Sequence, residues 1–91
     1  METKTFEATL AEQGYRDVET KALPSTYRAK EHSHPFDVRA LVVDGEITLT
    51  VNGDARTYRA GDVFTMDAGC THAESVGPDG VRYLVGRRKT Q

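Results

Sequence analysis

Phe6 and Leu10 stand one helical turn apart, and Gly14 follows where a left-handed residue closes a helix, so the spacing predicts a short amphipathic helix over residues 5–13. After it the apolar period changes from helical to alternating. Turn-forming residues recur at Pro24, Asp44-Gly45, Asn52-Gly53, Ala60-Gly61-Asp62, Asp67-Ala68-Gly69 and Gly77-Pro78-Asp79-Gly80, with short runs rich in β-branched and aromatic residues between them. Ile47, Leu49 and Val51 alternate with polar neighbours up to Asn52-Gly53, which predicts a hairpin returning through residues 55–59. Residues 39–43 are apolar almost without interruption, as in a central strand covered on both faces, and Asp44-Gly45 is expected to turn that strand into the hairpin. Further strands are predicted over residues 63–66, 72–76 and 81–85. No helix lies between them to carry a parallel crossover, so the expected fold is all-β, an antiparallel Greek-key or jelly-roll barrel with one short N-terminal helix.

A chain this short buries only about 60–65% of the surface its unfolded form exposes, so its core is thin and a metal or a second subunit is a natural supplement. No repeat, low-complexity tract or linker divides it, and residues 1–91 read as one domain. Its single cysteine, Cys70, allows no internal disulfide, and the N-terminal segment holds no apolar run. Both features lead to the expectation of a cytoplasmic protein without membrane attachment. A net charge of −2 gives no reason to expect nucleic acid as a partner. The basic run Arg87-Arg88-Lys89 reads as a solvated tail.

The chemistry-bearing residues are more specific. All three histidines fall in two short segments, His32-Ser33-His34 and His72. On a strand, residues i and i+2 share a face, so His32 and His34 can converge, and a neighbouring strand can bring His72 to the same point. Three imidazoles suit zinc, copper, iron or nickel, and a carboxylate extends the set to manganese. Glu74, two residues after His72, shares its face. Three roles stay open for it: fourth ligand, acceptor for an imidazole N–H, or general base. A His-x-His pair alone equally describes a solvated strand, and it is the third histidine that favours a divalent metal ion.

These residues resemble the two cupin motifs, G-x5-H-x-H-x3,4-E-x6-G and G-x5-P-x-G-x2-H-x3-N. His32, His34 and Gly45 match the first, and Gly61, Gly69 and His72 match the second. Val38 stands at the usual glutamate position, Asp67 at the proline and Val76 at the asparagine. The resemblance, over about residues 27–87, implies a small single-domain cupin with a metal site inside the barrel. Val38 breaks the usual three-histidine, one-glutamate set, and Glu74 is the carboxylate that can replace it from another strand. Asp37 is adjacent, but alternation points it to the opposite face.

Three functions follow from this reading. One is a metal-dependent enzyme of dioxygenase, isomerase or decarboxylase type acting on a small organic substrate, with Glu74 as its catalytic residue. The second is a noncatalytic small-molecule-binding or sensor module. The third is a domain whose metal only staples a thin core. Tyr27, Phe36, Phe64, Met66 and Tyr83 are candidates for a pocket wall, and Arg39 and Arg82 for a ligand carboxylate. Cys70 is read as a packing residue of its turn. Open sheet edges and small size lead to the expectation of a homodimer.

Overall fold

The computed structural model describes residues 2–89. Helix α1 (Thr3–Glu12) begins earlier than the spacing predicts, because extended Glu2 starts it without any side-chain cap to mark the boundary. Its end follows the expectation. Gly14 adopts φ +82°, its N–H donates to Ala11 O at 3.1 Å, and the Tyr15 N–H donates to Leu10 O at 2.8 Å. This is the paired termination that a left-handed glycine permits. Phe6 and Leu10, both fully buried, pack with Tyr15, Leu41 and Leu84, each large apolar side chain contributing about 1.5–3 kcal/mol by leaving water.

Six strands follow: β1 (Arg16–Leu23), β2 (Arg28–His32), β3 (Phe36–Val51), β4 (Asp54–Arg59), β5 (Val63–Met66) and β6 (His72–Lys89), all paired antiparallel. The architecture is the expected jelly roll, but two of its predicted turns are not turns. Asp44-Gly45 lies inside β3, and Gly77-Pro78-Asp79-Gly80 lies inside β6, so the runs predicted as four strands are two long, bent ones. β3 and β6 pair along their whole length, from Phe36↔Lys89 to Thr50↔Ala73, with register shifts at Val42/Asp44 and Gly45/Ile47. The bend divides this ladder into two halves. On one side β5 and β1 flank it, pairing with the first part of β3 and the last part of β6. On the other, β4 and β2 do the same for the remaining parts.

Between the halves lies the main core, which includes Val38, Ala40, Val42, Ile47, Leu49, Phe64, Val81, Tyr83 and Val85. The alternate face of β3 carries Leu41 to the helix, so this strand is covered on both sides as its unbroken apolar run predicts. The Asn52-Gly53 hairpin also forms as read: Val51 pairs with Asp54, and both central residues have positive φ, 52° and 82°.

The basic run is not a free tail. Arg88, paired with Asp37 across the ladder, donates from Nε to the Asp37 carboxylate at 3.0 Å and from a terminal nitrogen to Gln13 O at 3.0 Å, with its guanidinium 4.6 Å above the Tyr15 ring. Asp37 also accepts the Ala68 N–H at 2.8 Å. Backbone and guanidinium donors together hold the Asp37 carboxyl below its ordinary value. No helix among the described residues is long and apolar enough to cross a membrane.

Two predictions follow from this packing. A Cβ on Gly45, at φ +72°, would lie 1.9 Å from Gly80 O, whereas one on Gly53, at φ +82°, meets nothing. Both substitutions to alanine carry the left-handed penalty of about 1–2 kcal/mol, so Gly45→Ala should lower the urea midpoint well beyond Gly53→Ala. Asp37→Asn should destabilise the fold at neutral pH. A depressed folded-state pKa contributes stability above the ordinary value of 3.8 and loses it as pH falls below, so the gap between variant and parent should close in acid, as unfolding midpoints across pH will report.

Candidate metal centre

His32 ends β2 and His72 begins β6, and the two stand directly opposite in the antiparallel register, with ring centroids 4.4 Å apart. Their juxtaposition is therefore a property of strand pairing. His34 reaches the same place by another route. It lies beyond the end of β2, so the alternation argument does not carry it; the following Pro35 disfavours helical backbone at His34, whose carbonyl accepts the Gly69 N–H at 2.8 Å. Its ring stacks on Phe36 at 5.1 Å and sits 5.0 and 5.3 Å from those of His32 and His72. Glu74 shares the face of His72 as its spacing predicts. One ligand atom from each of His32, His34, His72 and Glu74 falls within 4.8 Å of all the others.

The hydrogen bonds around this group fix its electronic character. His72 Nδ1 lies 3.1 Å from Cys70 O, and His32 Nδ1 lies 2.7 Å from Lys30 O. A carbonyl only accepts, so both Nδ1 atoms carry the proton and both Nε2 atoms point inward, as lone pairs in the neutral rings and as N–H donors to Glu74 in the imidazolium form. There they meet Glu74 Oε2, at 3.0 Å from His72 and 3.4 Å from His32. Lone pairs facing a carboxylate oxygen repel unless a proton or a cation stands between them. His72 is fully buried and the Glu74 side chain only 10% exposed, so solvent does little to screen that repulsion. Burial, followed by the neighbouring histidines, pushes the His34 pKa down and favours the neutral form that binds metals. The donor set thus fits a divalent cation, with backbone carbonyls orienting two of the imidazoles as metal-binding histidines require.

A cavity of about 110 Å³ adjoins the cluster. Tyr27, Phe36, Phe64, Met66 and Tyr83 line it, as the sequence suggested, and so does Val38 in the place of the usual glutamate. Asp37 faces the other way, bound to Arg88. Arg39 and Arg82, the guanidiniums considered for a ligand carboxylate, are not at the cavity: Arg39 bonds Thr65, and Arg82 pairs with Asp44. The two cations that do line it are Lys21 and Arg87. Parity could have found Arg87, since it continues the inward series Val81, Tyr83, Val85; Lys21 stands opposite Tyr83 across the β1–β6 ladder. Burial, and next the Glu74 charge, raise the pKa values of Tyr27 and Tyr83, so both remain neutral phenols. The Cys70 side chain stands outside the ligand group, and its backbone carbonyl is what serves the site.

The same architecture recurs widely among solved structures. A conserved protein of unknown function from Streptococcus pyogenes aligns with TM-score 0.71 and 20% identity, over 81% of this chain and 64% of that one. The cupin domain of Schizosaccharomyces pombe Cnp3 aligns with TM-score 0.72 and 16% identity, over 80% and 55%. The DMSP lyase DddQ from Ruegeria pomeroyi aligns with TM-score 0.69 and 22% identity, over 78% and 36%. At these identities the likeness is one of fold, and the chain spans less than two thirds of each of these proteins. No curated protein matches it in sequence. The model of the cupin domain matches residues 19–85, and with the bent β3–β6 ladder this places the chain in the cupin family.

Proposed function

We propose that this cupin is a metal-dependent enzyme acting on a small organic molecule, with His32, His34, His72 and Glu74 holding a divalent ion. The observation that carries the reading is the Glu74 carboxylate set 3.0 and 3.4 Å from two inward imidazole Nε2 atoms beside a small cavity. Zinc, iron, manganese, nickel and copper all suit a mixed imidazole and carboxylate set. Such an ion supplies Lewis-acid or redox chemistry of the dioxygenase or isomerase kind. The chain's own residues account for the remainder. Phe36, Val38 and Phe64 exclude water, the Tyr27 and Tyr83 hydroxyls donate hydrogen bonds, and the Glu74 carboxylate accepts a proton. The cavity volume restricts the substrate to a few heavy atoms.

Capture without turnover is the second reading, and one observation favours it: Glu74 is the sole carboxylate among the lining residues and already faces His32 and His72. Oxygen-consumption and product assays on metal-loaded protein with small enols and phenols separate the two, since tight ligand binding with no turnover means a binding module. We also propose pairing into a homodimer, to be read from light scattering.

Metal titration into chelator-stripped protein should raise the melting temperature. At a free-ion concentration a hundredfold above Kd the gain is about 2.7 kcal/mol, on the order of 10–20 °C for a domain of this size. His72→Ala should abolish that rise. Glu74→Gln should weaken metal binding about 10–100-fold, measured by competition with a chromophoric chelator. Full metal content with lost turnover would instead make Glu74 the proton acceptor alone.

A further inference from the structure

Two cations line the cavity, and the structure gives a carboxylate partner to one of them. Arg87, opposite Val38 in the ladder, lies over the Phe36 ring at 5.7 Å and bonds Glu19 at 3.2 Å. Lys21 makes no ion pair among the described residues. It is half-buried on an otherwise exposed stretch of β1, and its pairing with Tyr83 turns it to the cavity face.

With a divalent ion on the cluster, the charge balance around the cavity is uneven. Neither nearby carboxylate pairs with Lys21, since Glu74 faces His32 and His72 and Glu19 bonds Arg87. A divalent ion on the cluster adds two further positive charges. A partly desolvated cation without a counter-charge is unfavourable, and an anion entering the cavity removes that cost.

We infer that the ligand of this cavity is a small organic carboxylate, its carboxylate received by Lys21 with Arg87 beside it and its remaining polar atoms facing the histidine cluster. Phe36, Val38 and Val85 border the same space and limit the carbon skeleton to a short one. The inference rests on the proposed function for the metal, whereas recognition of the carboxylate by Lys21 does not require it.

Calorimetric titration with lactate and lactamide, which differ only at the carboxylate, tests the idea in metal-loaded and in metal-free protein. The parent should bind lactate and discriminate against lactamide. Lys21→Met, which keeps the methylene stem, should weaken lactate binding about tenfold to a hundredfold with metal content unchanged. Arg82→Met, the same charge change at the remote Asp44 pair, should bind lactate as the parent does. Equal parental affinity for lactate and lactamide overturns the inference, as does undiminished discrimination in a folded Lys21→Met protein. The parental comparison decides the matter even if that variant does not fold. Absence of metal binding refutes the proposed function, while the metal-free titrations still decide the role of Lys21.

Discussion

Everything in this molecule hangs on the end-to-end pairing of β3 with β6 and on the close backbone approach where both bend. Were either strand straight, the ladder would make one flat ribbon with no interior. Gly45 and Gly80, both at positive φ and nearly in contact, let the ribbon fold over. The two halves then face each other across an apolar core, and the space left at one end becomes the cavity. β2 and β5 complete that end, and the histidine cluster forms where β2 meets the start of β6.

Local sequence made much of this legible. The helix stop at Gly14, the Asn52-Gly53 hairpin, the doubly covered run in β3 and the shared face of His72 and Glu74 each rest on period or turn chemistry that a few residues determine, whereas His34 joins the cluster from beyond the end of β2. The misread turns have a common cause. A glycine at positive φ serves a tight turn and a strand bend alike, and what distinguishes Gly45 is the Gly80 carbonyl beside it, a contact far away in sequence. β1 carries little apolar alternation, and its strand character comes from the β6 edge it joins. Arg87-Arg88 looked like a solvated pair. Strand alternation instead sends one guanidinium to the cavity and the other to Asp37 and the helix terminus.

At the cluster, electrostatics and backbone act together. Carbonyl acceptors on Cys70 and Lys30 hold the Nδ1–H of each ring, so the Nε2 atoms of His32 and His72 converge with the Glu74 carboxylate inside an apolar shell. The family's usual glutamate is replaced by Val38, yet a carboxylate still reaches the imidazoles because antiparallel pairing places Glu74 on the facing strand.

One short turn does more than connect β5 to β6. Three consecutive residues offer only their main-chain groups: the Ala68 N–H binds Asp37, the Gly69 N–H binds the His34 carbonyl, and the Cys70 carbonyl binds the His72 ring. Gly69 alone is tied to its identity by backbone conformation, at φ +81°. The alignment of two imidazoles is thus encoded in chain length and path. Side chains at 68 and 70 are free to drift without disturbing it, whereas inserting or deleting one residue would displace both rings together.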